Sequence, residues 1–241
     1  MNDPQQVAEN YQTVLGQISQ SAERAGRSGQ DVKLVVVTKG HTIETIQMVI
    51  NAGARRLGEN YVEAATPKIE RLKSFTGIEW HMIGHIQSRK ARVVCEQFDY
   101  VHSLDSVKLA SRLDRFSREM DSFLPVLLEC NVSGEESKYG FPVWRESEWP
   151  RFIDEVSEII LMDHLAIHGL MTMAPYFESA EKARPYFQRL KILQNELAKR
   201  FPAIDWCELS MGMSGDFQVA IEEGATMVRI GTAIMGSRPI A

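Results

Sequence analysis

The amino-acid sequence predicts an α/β fold, a single (β/α)8 TIM-type barrel entered through an N-terminal lead-in helix. Short apolar, largely β-branched runs alternate with stretches of helical periodicity along the chain, and about eight such runs can be counted. The length of 241 residues matches the roughly 250 typical of that barrel, whereas a doubly wound open sheet of this length generally has fewer strands.

Val7, Tyr11, Val14, Leu15, Ile18 and Ala22 recur at helical spacing until Gly26 and Gly29 break the pattern, which predicts the lead-in helix over 7–25. Lys33 to Thr38 is almost continuously β-branched, as expected of a strand covered on both faces of a parallel sheet. The unit then repeats, with helices over 43–52 and 62–72 and strands at 56–58 and 80–84. Further strands are expected at 100–102, 125–131, 167–171, 207–210 and 227–231. No linker rich in Pro, Gly or Ser divides the chain, and only Ile234 to Ala241 follow the last strand, so 1–241 is expected to be one domain.

The composition is that of an ordinary globular protein, 44% hydrophobic and 24% charged. A net charge of -5 and a pI near 5.7 exert no general pull on nucleic acid or an anionic membrane, so any bound anion must be held by local geometry. No stretch approaches the roughly 18 apolar residues that span a bilayer, and the polar start Met1 to Gln6 lacks a signal-peptide core; a cytoplasmic protein is expected. Cys95, Cys130 and Cys207 are scattered without a CxxC pair and are expected to be buried, reduced thiols.

In a β/α barrel the active face lies at the C-terminal strand ends, which here carry Lys39, Glu59-Asn60, His85, Ser103, Asn131, Thr172, Ser210 and the corner Arg229 to Thr232. Lys39 ends the most hydrophobic strand, where desolvation lowers an amine's pKa and lets it attack a carbonyl. The plainer alternative is a lysine reaching solvent from a strand end. Leu209-Ser-Met-Gly-Met-Ser-Gly-Asp216 follows the seventh run, and Arg229-Ile-Gly-Thr232 ends the eighth. Glycines and hydroxyls there present donors to an anion, and loops seven and eight are the usual phosphate-binding pair; both segments could equally be capped turns. His81 and His85 are four apart, but on a strand and its loop that separates them by about 13 Å, and no metal site is expected.

Eight blocks in order resemble one family. They are Val35-Val-Val-Thr-Lys39, Gly58-Glu-Asn-Tyr-Val62, Trp80 to Ser88, His102-Ser-Leu-Asp105, Asn131 to Phe141, Gly169 to Pro175, Leu209 to Ser214 and Met227 to Ala233. The chain thereby resembles the pyridoxal phosphate homeostasis proteins, also called the proline synthetase co-transcribed or alanine-racemase N-terminal-like family. The resemblance implies a fold-type III barrel binding pyridoxal 5′-phosphate (PLP) as an internal aldimine, a Schiff base, on Lys39. It also implies that Arg229 faces the pyridine nitrogen, that Ser210, Ser214, Gly215, Gly231 and Thr232 hold the phosphate, and that Asn60, His85 and Met211 line the ring. Two departures are visible: Gly40-His41 follow the lysine where bulkier residues are usual, and Glu63-Ala64 stand where Gln-Glu often follows the Asn-Tyr-Val block.

The implied role is PLP binding in vitamin B6 homeostasis and supply, without turnover. PLP is then the ligand, PLP-dependent apoenzymes are transient partners, and the chain is a monomer that engages neither nucleic acid nor membrane. The alternatives are a PLP-dependent amino-acid racemase-like enzyme, and a phosphate-binding barrel whose Lys39 takes an aldehyde or ketone substrate directly, without PLP.

Overall fold

Asp3 caps the first helix. Its carboxylate accepts from the Gln5 amide at 3.0 Å and Pro4 opens the helix, so α1 runs Pro4–Arg24. The helix starts earlier than its apolar stripe predicts because the cap sets the beginning. The computed structural model describes residues 3–237; residues 1–2 and 238–241, the outer bounds of the expected domain, lie outside the described residues.

Eight parallel strands follow: β1 Lys33–Val37, β2 Arg56–Glu59, β3 Glu79–Met82, β4 Tyr100–Leu104, β5 Leu124–Asn131, β6 Leu165–Met171, β7 Glu208–Ser210 and β8 Met227–Ile230. Their hydrogen-bonded order is β4-β3-β2-β1-β8-β7-β6-β5, and a β4–β5 pairing closes the ring. β1 takes its register from both neighbours, with Val36 opposite Leu57 on one side and Val35 opposite Arg229 on the other. A two-residue parallel strand, Phe141–Pro142, extends β5 beyond the closed ring; it is too short to leave a periodic signal.

Helices Ile43–Asn51 (α2), Val62–Leu72 (α3), Ala91–Gln97 (α4), Val107–Glu119 (α5), Trp149–Ile160 (α6), Arg184–Arg200 (α7), Phe217–Glu222 (α8) and Thr232–Met235 (α9) fill the connections. Ser106 and Thr42 cap α5 and α2 through their hydroxyls. Among the described residues no helix is long and apolar enough to cross a membrane.

Apolar side chains form two separate cores. The larger packs helices such as α7, through Phe187 and Leu190, onto the outward faces of the strands; the smaller joins Leu127, Met171 and Met227 with Tyr100 and Met173. Apart from Val35, Val37 and Ile83, the rest of the lumen is polar, because side chains alternate along each strand and His81, His102, Glu129, Ser210 and Arg229 are all buried. Of the cysteines, Cys130 is buried, Cys95 is half-buried and Cys207 is exposed, contrary to expectation. Cys207 precedes β7 instead of belonging to it, which leaves it on the rim.

Candidate functional site

Lys39 stands just past β1, where Gly40 takes a positive φ of 75° and turns the chain. Its approach is braced by a buried ion pair. Oε1 of Glu59 accepts from the Thr38 hydroxyl at 2.6 Å and from Lys68 Nζ at 2.5 Å, and Lys68 also donates to the Thr38 carbonyl at 2.9 Å. One helix, α3, thus clamps the ends of β1 and β2, from which Lys39 and Asn60 leave. Gly84 is required beside them, since a Cβ there would fall 2.3 Å from the Asn60 carbonyl oxygen.

A cavity of about 260 Å³ opens at this end of the barrel, lined by Lys39, Asn60, Ser214, Gly215, Arg229, Gly231 and Thr232. The two corners anticipated after β7 and β8 meet there: Ser214 Oγ accepts from the Ala233 amide at 3.4 Å. Gly212 allows the turn, with φ of 95° and the Phe217 Cα only 2.8 Å from where its Cβ would be. The cavity wall also includes His41, Ile83, Asp216 and the segment through Met173, Pro175, Tyr176 and Phe177. None of these was named as a site residue, although Ile83, Met173 and Pro175 lie in blocks already singled out, Asp216 ends the corner after the seventh run and His41 was noted as a departure; Tyr176 and Phe177 reach the pocket only through the folded path of the β6–α7 connection. Asp216 accepts from the Met213 amide at 2.6 Å, and burial raises its pKa.

Arg229 is the buried cation of the cavity. Its guanidinium donates to Ser210 Oγ at 2.6 Å and to the Thr172 carbonyl at 2.8 Å. Burial lowers its pKa to about 10, still well above neutrality, so it remains a donor only. The chain of contacts continues across the lumen. Ser210 on β7 lies 2.8 Å from Nδ1 of His102 on the non-adjacent β4, and Nε2 of His102 lies 2.8 Å from Nδ1 of His81 on β3. The donor-only guanidinium fixes the first contact, in which Ser210 accepts from Arg229; the tautomers of His102 and His81 set the direction of the other two. Nε2 of His81 lies 3.5 Å from the Glu79 carboxylate. Burial holds both imidazoles below their ordinary pKa, His102 well below, so both are neutral.

Three expected site residues stand elsewhere. Ser210 is fully buried beneath the cavity, engaged with Arg229 and His102, and does not line the cavity as a phosphate ligand would. Met211 follows it onto the opposite face of the strand end and packs into the outer core. His85 lines an adjoining cavity, bonded to Asp105 Oδ2 at 2.9 Å and stacked on Tyr139 with centroids 3.7 Å apart. His81 and His85 therefore diverge, and among the described residues no three His, Cys, Asp or Glu side chains are grouped to hold a metal ion.

Residues 5–239 match the family model described as alanine racemase, N-terminal domain. A protein of Vibrio alginolyticus named pyridoxal phosphate homeostasis protein is 40% identical over 237 residues, 96% of this chain and 97% of its own. The chain belongs to the pyridoxal phosphate homeostasis family of alanine racemase N-terminal-type barrels. Another member, from Escherichia coli K12, bears the same name and is 39% identical over 245 residues, 99% of this chain and 98% of its own. PipY of Synechococcus elongatus superposes on this family member with a TM-score of 0.85 without PLP and 0.81 with PLP bound, at 32% identity, over 96% of this chain and all of PipY. Alanine racemase of Clostridium difficile shares the fold, with a TM-score of 0.72 at 15% identity over 96% of this chain and 60% of the racemase.

Proposed function

We propose that this chain binds PLP covalently through Lys39 Nζ and acts in PLP homeostasis and supply. The observation that carries the reading is that Lys39, Arg229 and the paired corners Ser214-Gly215 and Gly231-Thr232 line one cavity. The donor set fits the group: an amine for its aldehyde, a donor-only guanidinium for its ring nitrogen, and hydroxyls with backbone N–H groups for its phosphate. That PipY, similar over its whole length, has a PLP-bound structure supports the same reading.

When bound, PLP supplies a reactive aldehyde and an electron-withdrawing ring. Arg229 blunts the ring as an electron sink, which agrees with a carrier but does not by itself separate a carrier from a racemase. Two of its donors are engaged by Ser210 and Thr172, and it has no acidic proton to give at neutral pH, so the ring nitrogen it meets stays unprotonated and withdraws electrons poorly. The proposal is of a cytoplasmic monomer that hands PLP to apoenzymes without turnover.

Borohydride reduction of the PLP-loaded protein followed by peptide mass mapping tests it. The label is expected on Lys39 and is lost in Lys39→Ala; label on another lysine sinks the assignment. Lys39-dependent α-proton exchange with amino acids above roughly 1 s⁻¹ would replace the carrier by an enzyme.

A further inference from the structure

A second cavity, of about 360 Å³, adjoins the first across Asn60, Ile83 and Met173. Glu129 of β5 lines this cavity and not the Lys39 pocket. It is 3% exposed, and its Oε2 has no hydrogen-bond partner among the described residues. Oδ1 of Asn60, in the same wall, is likewise buried and without a partner among them. Two residues of one cavity wall thus each carry a buried, unpaired acceptor, and a buried carboxylate without a counter-charge is costly until a cation or a proton reaches it.

The charged groups near Glu129 do not supply that cation. Asp105 is a like charge, already bonded to His85 and Ser106. Arg229 attracts it from a distance while donating to Ser210 and Thr172. Burial first, then Asp105, pushes Glu129 up to about 7, so the charged carboxylate is disfavoured where it stands. The same cavity carries one ammonium of its own, Lys90, paired at 2.7 Å with the exposed carboxylate of Glu63. An acceptor pair in a sheltered wall and a cation bound only to an exposed partner form the complement of a zwitterion.

We propose that this cavity binds a free α-amino acid, its ammonium held by Glu129 Oε2 and Asn60 Oδ1 and its carboxylate by Lys90. The site rests on the PLP reading proposed above and shares Asn60 with the Lys39 pocket, but none of Lys39, Arg229, Ser214, Gly215, Gly231 and Thr232, and it puts a primary amine next to that pocket.

The test is calorimetric titration of borohydride-reduced, PLP-loaded protein, in which Lys39 can no longer react, with glycine, L-alanine, L-serine and L-lysine. At least one is expected to bind, and its N-acetyl derivative to bind at least about tenfold more weakly, the loss of one hydrogen bond to a charged group. Glu129→Gln should weaken the amino acid by a similar factor, whereas Lys90→Ala should weaken the amino acid and leave ethylamine unchanged. Absence of binding by all four, equal binding of the N-acetyl derivative, or an unchanged Glu129→Gln overturns the proposal. Should Glu129→Gln fail to fold by circular dichroism, the N-acetyl comparison on the unaltered protein decides. Failure of the PLP reading is seen separately, as absence of label after reduction, and the titrations then run on the unlabelled protein.

Discussion

Ser210→Ala distinguishes a hydroxyl that holds phosphate from one that holds Arg229. The Ser210 hydroxyl accepts from Arg229 at 2.6 Å and contacts His102 Nδ1 at 2.8 Å, both fully inside the barrel. A hydrogen bond to a charged group is worth about 1.5 to 3 kcal/mol and one between neutral groups about 0.5 to 1.5. Deleting the hydroxyl removes one of each, for a combined loss of about 2 to 4.5 kcal/mol, or about 4 to 18 °C in Tm for a chain of this size. Urea unfolding and thermal melts of the PLP-free protein measure that loss, and spectroscopic titration measures PLP affinity. Because Ser210 does not line the cavity, PLP affinity is expected to stay within about threefold, under about 0.7 kcal/mol. A stability change below about 0.5 kcal/mol together with a tenfold or greater loss of PLP affinity would refute the geometry and return Ser210 to the phosphate.

The double variant Ser214→Ala, Thr232→Ala should do the reverse. Both residues are at least partly exposed on the cavity wall, so unfolding should change little, while PLP dissociation rises by roughly tenfold or more for each hydrogen bond to phosphate removed; an unchanged dissociation constant contradicts the phosphate assignment. Stability should fall on acidification below pH 6.5. Burial depresses the pKa of His81 and His102, so unfolding takes up protons as the pH falls through the ordinary imidazole value, each worth up to about 1.4 kcal/mol per pH unit. Glu129, raised to about 7, acts with opposite sign between its ordinary 4.5 and 7. The two imidazoles act against Glu129 and against Asp216, which burial also raises, so the net loss just below pH 6.5 stays under about 1.4 kcal/mol per unit. Urea unfolding across that range checks it, and a flat or rising profile would mean that the imidazoles are not held neutral.

The barrel was legible because its strands are buried on both faces and therefore read as apolar runs, as in Lys33 to Val37 and Leu124 to Asn131. Lys39 and the corners Ser214-Gly215 and Gly231-Thr232 were legible for a related reason. A β/α barrel delivers whatever follows each strand to one rim, so position in the chain determines position in space. Helix starts were less so, as the Asp3 cap of α1 illustrates.

The lumen was not legible. Ser210 and Met211 are adjacent in sequence and both fully buried, yet one faces Arg229 and the other the outer core. Local order carries the alternation of faces, but which face meets which partner depends on closure of the ring. Only closure brings His102 of β4 against Ser210 of β7, and Glu129 against the space beside Asn60. By itself the sequence determined the fold class and the rim residues, through the burial pattern and order of its strands. The tertiary structure alone decided which side chains meet across the barrel, because those contacts join strands far apart in sequence and depend on the register in which the sheet closes.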